Sequence, residues 1–517
     1  MELNYIDLFD RAARIAAGRD ALVDDGGALT YAEAWVRANR IASALVARGF
    51  GPSTRFAIFS PNCSAAMLAM LAGLKAGGAW CNINVRNAIR MNVDILARGK
   101  CEAVFFHSST APLVETIRAG VPTLRFAVCV DQELPGFDSL AALARAGSDA
   151  PINVRLAPDA VGFQGSTGGT TGAPKITQGG QAFLTWNAIG FMTEFHFDRP
   201  PVNLAVAPIT HAGGIVAMAT LALGGTVVFM ATADLGKLLD AIAAHRVSLL
   251  FLPPTLIYML LGHEALDATD LSSLQCFWYG AAPMSTARLE EAMSRIGPVM
   301  AQLFGQTEAP MMVSMLPPAE HFDADGKVAV ARLASAGRPA PLVRVGIMDP
   351  DSGVLMPNGE RGEIVVRSSL VMAGYYKDPA ATEAAARFGW HHTGDIGYLD
   401  DDGYLFIVDR LKDMIITGGF NVYSAEVEQA LMQHPAVRDC AVIGLPDEKW
   451  GEQVTAVVEA KPGAEVETDE LIAFVKARIG SVKAPKRVEL WKELPRSRVG
   501  KVLKMEVRTE LLGVSEH

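Results

Sequence analysis

RFAIFSPNCSAAMLAMLAGLKAGGAWC, residues Arg55 to Cys81, starts with a short apolar run, RFAIFS, and continues into SAAMLAMLAGLKAGG, which is apolar on nearly every side. A helix without a polar face belongs between two sheets rather than on a surface. The same β-like texture recurs between helix-like stretches: AVFF at Ala103 to Phe106, FAVCV at Phe126 to Val130, SLLFL at Ser248 to Leu252 and QCFWYG at Gln275 to Gly280. Alternation of this kind predicts an α/β fold with largely parallel sheets covered on both faces.

Working outward, Val202 to Ala233 contains no charged residue and by length alone resembles a membrane span. Pro208, His211, Gly213, Gly214, Gly224 and Gly225 interrupt it, leaving NLAVA, a small-residue helix near 213–223, and TVVFM. Strand, helix and strand account for every break, so a buried α/β unit is expected and no transmembrane segment. Near residue 400 the texture changes. GYLDDDGYLFIVDR reads as a hairpin with Asp402-Gly403 in its turn. The part that follows is smaller in scale and more charged, with 16 basic and 17 acidic residues from Arg410 to His517. Within it Leu471 to Arg508 carries 11 basic and 3 acidic residues, net +8, which suits either a solvated face balancing the nearby EVETDE or a surface that meets polyphosphate.

The whole chain of 517 residues is 50% hydrophobic and 20% charged, and 46 Lys+Arg against 56 Asp+Glu give a net charge of −10. These values disfavour a small secreted module, a disordered tail and a basic nucleic-acid binder; the length implies about two to four domains. Six scattered cysteines without a CxxC pair argue against a disulfide framework or a zinc site. MELNYIDLFDRAARIAAGRD lacks the build of a signal peptide, so the expected setting is reducing and cytoplasmic.

Four short motifs carry chemistry. GSTGGTTGAPK (Gly165 to Lys175) offers free backbone N–H groups, hydroxyls and a terminal lysine, as an anion-binding loop would, although by itself it also describes a flexible loop. It is not a Walker loop, because Lys175 follows Pro174 and no Ser or Thr comes next. FGQTEAP (Phe304 to Pro310) sets an aromatic, a glycine, a hydroxyl and a carboxylate together, a set able to stack a base, contact phosphate and hold Mg²⁺ through Glu308; alone it is an ordinary strand end. TGDIG (Thr393 to Gly397) offers Asp395 to two ribose hydroxyls or to a turn. PRSRVGKVLK (Pro495 to Lys504) presents Lys501, otherwise a solvated lysine.

In this order, with PITHAGG, YGAAPMS, GEIVVRS and DRLKDMIITGGFNVYSAEVE, these motifs resemble the adenylate-forming superfamily of acyl-CoA synthetases, nonribosomal-peptide adenylation domains and firefly-type luciferases, over essentially the whole chain. The resemblance implies a large multi-layered N-terminal α/β domain over residues 1–409, binding ATP and the acid, and a small mobile C-terminal α+β domain over 410–517. It implies that Thr167, Gly169, Thr170, Thr171, Gly172 and Lys175 handle the ATP β- and γ-phosphates, and that Gly280, Ala281 and Ala282 border adenine, which Phe304 stacks upon. Thr307 matches the α-phosphate contact, Glu308 the Mg²⁺ ligand, Asp395 and Arg410 the ribose contacts, and Lys501 the adenylation lysine. His211 falls at the acid pocket or is a satisfied core histidine. Lys412 matches the hinge, and Gly419 the loop that borders the pantetheine tunnel after the pivot.

Four positions depart from the usual pattern: Gly168 stands for Ser, Ile176 for Gly, Ser424 for Pro and Lys504 for Arg. A weaker phosphate grip is the expected limit of the first, and Ser424 is expected to N-cap the AEVEQALMQ helix. The implied activity is an AMP-forming acyl-CoA ligase using ATP, Mg²⁺ and CoA, with no nucleic-acid partner and room for a homodimer. Transfer to a carrier-protein thiol, or non-catalytic binding of an acyl group or nucleotide, are the rival readings. The segments around His211, Gly280 and Glu308 hold no charge besides Glu308, and Ala212, Gly213, Gly214, Met311 and Met312 are expected to line an apolar pocket. The expected acid is therefore a hydrophobic monocarboxylate, a medium or long fatty acid ahead of an aryl acid.

Overall fold

The computed structural model describes residues 3–52, 54–157, 160–167, 174–180, 182–496 and 502–513. The stretch that decides the fold behaves as read: Arg55–Phe59 is a strand and Ser64–Lys75 a helix with every residue but Ala65 buried. Lys75, the one charge on that helix, is fully buried against Asp10 at 2.6 Å and lies over the rings of Phe9 and Trp35. Burial pulls its pKa down and Asp10 opposes that shift.

Arg55–Phe59 is the middle of an eight-stranded sheet among the described residues, flanked in parallel by Ala79–Cys81 and Ala103–Phe106. A nine-stranded sheet is built likewise around Val202–Ala205, flanked in parallel by Thr226–Phe229 and Leu249–Leu252. The charge-free stretch is thus strand, helix (Ala212–Ala222) and strand, and no described helix is long and apolar enough to cross a membrane. The helices Ser64–Lys75, Ala182–Glu194 and Ala212–Ala222 share one apolar core with Phe56 and Phe105 of the first sheet and Leu249, Phe251 and Trp278 of the second.

In each sheet the chain leaves the central strand first to one side and then to the other, which opens a crevice at the strands' carboxyl ends. The loop leaving Arg55–Phe59 carries Asn62, which is buried. Its amide nitrogen donates to the carbonyls of Ala205, Val206 and Ala207 at 2.9, 3.2 and 3.0 Å, and its oxygen accepts from the Ile209 N–H at 2.9 Å. One amide therefore pins the loop leaving the second sheet's switch point to that leaving the first's. The helix that follows presses on the same loop: a Cβ at Gly214 would sit 1.8 Å from the Ile209 carbonyl oxygen. This corrects the expected pocket lining, since Gly213 and Gly214 are buried under Ala207 to Ile209 and their small size serves backbone packing.

The expectation of largely parallel sheets holds for these two, which turn antiparallel at one end of the eight-stranded sheet and at both ends of the nine-stranded one. A third sheet, Arg344–Met348, Gly362–Arg367, His391–Leu399 and Leu405–Arg410, is antiparallel throughout. Its last two strands form the expected hairpin, closed by Asp400, whose carboxylate accepts from the Asp402 and Tyr404 N–H groups at 3.1 and 2.8 Å. A smaller C-terminal domain follows, with Ile415–Thr417, Phe420–Val422, Val437–Asp447, Gly451–Ala460 and Arg487–Trp491 in one sheet and a separate apolar core around Val427, Leu431, Val442, Val458 and Leu471.

Two expectations about this domain change. The helix Ser424–Met432 is not capped by Ser424, which is its first helical residue; Tyr423 holds the cap position without a side-chain bond. Asp409 supplies the anion at the helix N-terminus instead, accepting from the Ser424 N–H and, at 3.0 Å, from its hydroxyl, while Lys504 donates to that hydroxyl at 2.6 Å and pairs with Glu428 at 2.7 Å. Part of the basic stretch is spent in such pairs: Lys483 meets Glu426, Arg487 meets Glu489, Arg496 meets Asp439 and Arg508 meets Glu452. Its charge balances acids across the domain.

Replacing Asn62 by Ala strands a buried N–H and several carbonyls. It should lower stability by about 1–3 kcal/mol, read as a shift in the urea midpoint at unchanged slope. A change below 0.5 kcal/mol would mean the pin is dispensable.

Candidate functional site

The Gly/Thr loop joins Phe163–Ser166 to Ile176–Gly179, antiparallel strands with Ser166 opposite Ile176. Its base is held from several sides. The Thr167 N–H donates to the Lys175 carbonyl at 2.9 Å, and the Thr167 hydroxyl accepts from the Lys175 N–H at 3.1 Å. Asn82 accepts from the Ser166 N–H at 2.9 Å, and Arg98 donates to the Pro174 carbonyl at 2.8 Å. Gly169, Thr170, Thr171 and Gly172, the departure at Gly168, and Lys501 lie outside the described residues.

Thr307 and Glu308 form the two-residue tip of a hairpin between Met300–Gln306 and Ala309–Leu316, because Gln306 faces Ala309. That tip abuts the loop base: a Cβ at Gly165 would lie 2.5 Å from the Thr307 methyl. Glu308 is fixed twice by one neighbouring stretch. Its carbonyl accepts from the Met372 N–H at 2.7 Å, and its carboxylate accepts from the Tyr375 hydroxyl at 2.8 Å. The Lys175 ammonium lies 4.9 Å from the centre of the Tyr375 ring.

Asp395 is buried on the third sheet opposite Arg410, and the two pair at 2.6 Å. Gln306 reaches across from the hairpin, its amide donating to the Thr393 carbonyl at 3.1 Å and to Asp395 at 3.3 Å and meeting His391 at 3.0 Å. Behind them the buried Glu363 carboxylate accepts from the Gly394 N–H at 2.9 Å and meets His392 at 2.6 Å. The sequence-derived phosphate, metal and ribose candidates on the described residues thus adjoin one another at the meeting of three sheets. Lys412 lies in a short turn, Leu411–Asp413, just after Arg410, and partial burial lowers its pKa.

Gly280 ends the strand Cys276–Gly280, with Ala281 and Ala282 just beyond. Ala281 and Met311 both have left-handed backbone, at φ 65° and 68°. Non-glycine residues adopt that region sparingly and gather at functional sites when they do. Phe304 is half-buried and packs against the core. His211 precedes the helix Ala212–Ala222, with Nδ1 at 3.1 Å from the Thr210 hydroxyl, and burial pulls its pKa down to about 4. Gly419 stands apart, in the two-residue turn between Ile415–Thr417 and Phe420–Val422; a side chain there would meet open space, so its constraint is the left-handed φ of 80°.

Sequence reading passed over Asn62, Gln306, Glu363 and Tyr375. Gln306 sat inside a quoted motif without a role. Tyr375 carried one signal, an aromatic pair directly before Lys-Asp-Pro.

A large α/β domain with its site at the strands' carboxyl ends, followed by a smaller C-terminal domain, is the architecture of adenylate-forming enzymes. The fold matches the amide bond synthetase McbA from Marinactinospora thermotolerans (TM-score 0.88, 32% identity, 98% of this chain and 99% of that one) and ATP-bound MatB from Rhodopseudomonas palustris (TM-score 0.88, 28% identity, 99% and 100%). Residues 9–376 match the AMP-binding enzyme family and 426–501 the AMP-binding enzyme C-terminal domain. The chain is 36% identical over 500 residues to a feruloyl-CoA synthase of Amycolatopsis sp, covering 96% of this chain and 97% of that one. It is 42% identical over 361 residues to the medium/long-chain-fatty-acid–CoA ligase FadD8 of Mycobacterium tuberculosis, covering 68% and 62%. The protein belongs to the AMP-binding enzyme family.

Burial holds the imidazoles of His211, His321 and His391 down to about 4, against an ordinary value of 6.5. Between those pH values the unfolded chain binds protons that the folded one refuses, so stability present above pH 6.5 is lost as pH falls toward 4. Urea midpoints measured across this window should fall, and His211→Asn should make the fall shallower. An unchanged slope in that variant contradicts a neutral His211.

Proposed function

We propose that this AMP-forming acid–thiol ligase activates a hydrophobic monocarboxylic acid and passes the acyl group to CoA. The observation that carries the acid class is the emptiness of charge around His211. Asn203 to Ala231 contains no Asp, Glu, Lys or Arg, and the His211 imidazole is held neutral by burial. A second carboxylate on the substrate would be desolvated without a cation, a cost of several kcal/mol. Fatty and aryl tails both satisfy this chemistry; the adaptable side chains of Met311 and Met312 favour the fatty acid.

In the first half-reaction a carboxylate oxygen attacks the α-phosphorus of ATP and pyrophosphate leaves. Lys175 and Thr167 act on the polyphosphate and Thr307 on the α-phosphate, where charge builds in the transition state. Asp395 and Arg410 orient the ribose, while Gly280, Ala281, Ala282 and Phe304 frame the base. Glu308 fits Mg²⁺ as a lone carboxylate, the share a protein usually supplies to that ion; bound there, the ion would neutralise charge on the leaving pyrophosphate. Among the described residues no group of three His, Cys, Asp or Glu stands ready as a cage of its own.

In the second half-reaction a CoA thiolate attacks the acyl carbon and AMP departs. Residues 410–517 act as the mobile unit, pivoting at Lys412 to withdraw Lys501 and bring Gly419 to the pantetheine path. The six cysteines, all free, suit a reducing, cytoplasmic setting.

The test is pyrophosphate exchange across octanoate, palmitate, benzoate, a hydroxycinnamate and malonate, followed by a CoA-dependence assay on the best acid. A monocarboxylate should exceed malonate in kcat/KM by roughly a thousandfold, with thioester formed only when CoA is present. Malonate leading the panel would place a cation in the pocket, and exchange without thioester would move the acceptor elsewhere.

Lys501→Ala should slow adenylation by roughly 10²- to 10³-fold, the loss typical of one preorganised donor. Thioester formation from supplied acyl-AMP should persist. Equal loss in both assays removes Lys501 from the adenylation role.

A further inference from the structure

Tyr375 belongs to none of the motifs that carry the chemistry, yet it touches two of them. It lies on the short strand Gly374–Tyr375, opposite Thr177, at the edge of the eight-stranded sheet. That register leaves Lys175 as its diagonal neighbour, within reach of a long side chain. The same four residues, Met372 to Tyr375, hold Glu308 by backbone and by side chain. The strand itself is anchored: the Tyr375 N–H donates to the Thr382 hydroxyl at 2.9 Å, which donates to the Asp378 carbonyl at 2.8 Å.

We infer that Tyr375 is a positioning residue for the adenylation site: its hydroxyl orients the Glu308 carboxylate toward the metal, and its ring holds the Lys175 ammonium toward the polyphosphate. The inference rests on the adenylation reading. One phenol couples the two positive charges that a triphosphate needs, one resident on the chain and one borne by the metal. A carboxylate ligand gains its orientation and basicity from the group that hydrogen-bonds it, and removing such a partner typically costs about 10–100-fold in metal affinity. The ring's hold on an ammonium is weaker, about 0.5–1 kcal/mol at an exposed site. The two contributions are separable by substitution.

The experiment measures Mn²⁺ binding by electron paramagnetic resonance to the full-length enzyme saturated with α,β-methylene ATP, and binding of the analogue itself in EDTA. Tyr375→Phe keeps the ring and loses the hydroxyl. It should weaken Mn²⁺ roughly tenfold and leave metal-free binding of the analogue at the parental value. Tyr375→Leu loses both and should weaken metal-free binding as well, by about threefold. In a Glu308→Gln background, Tyr375→Phe should have no further effect on Mn²⁺. In turnover, Tyr375→Phe should raise the Mg²⁺ concentration for half-maximal pyrophosphate exchange and recover most of its kcat at high Mg²⁺. Parental Mn²⁺ affinity in Tyr375→Phe, or an equal Mn²⁺ loss with and without Glu308, overturns the inference. A parental enzyme that exchanges pyrophosphate with no acid overturns the adenylation reading instead, and leaves the binding comparison intact.

Discussion

The side-chain amide of Asn62 is the constraint on which the rest of the molecule depends. Two parallel sheets can pack across a layer of apolar helices in many registers, because hydrophobic contact has no direction. Hydrogen bonds do. By holding three consecutive carbonyls and the Ile209 N–H, Asn62 fixes the carboxyl end of one central strand against that of the other. Both switch-point loops then lie together, and His211 follows the pinned loop directly.

Away from that pin the site is assembled at seams. The Thr307–Glu308 tip of one sheet presses on Gly165 at the base of the phosphate-loop candidate in the other, with no room for a side chain between them. Gln306 bridges from the same hairpin to Asp395 of the third sheet. No motif is a site by itself: each supplies one edge, and the functional groups converge only because three sheets meet. The left-handed backbone of Ala281 and Met311 sits on two of those edges.

How much of this was legible depends on the range of the interaction. Ser64–Lys75, apolar all round, and the interrupted stretch from Val202 to Ala233 declared their elements through local pattern, and both folded as read. Contacts between distant residues left no such trace. Nothing in the neighbourhood of Asn62 points to residues 205–209, and nothing beside Tyr375 points to Glu308. Local rules also misled where tertiary partners intervened. Ser424 looked like a helix cap until Asp409 took the helix terminus, and Gly213-Gly214 looked like pocket lining until the Ala207–Ile209 backbone filled the space. The basic stretch near the C-terminus left two readings open, a face balancing acids or a surface for polyphosphate, and Lys483, Arg496 and Lys504 pair with acids elsewhere in the same domain.

The central claim is that a carboxylate oxygen of the acid attacks the α-phosphorus at this seam. Supplying the best acid of the panel with both carboxylate oxygens as ¹⁸O, together with ATP and CoA, tests it directly. Mass spectrometry of the AMP released should find one ¹⁸O in its phosphate for every thioester formed. ADP in place of AMP, with ¹⁸O in inorganic phosphate, would mean attack at the terminal phosphorus and an acyl phosphate, contradicting the account.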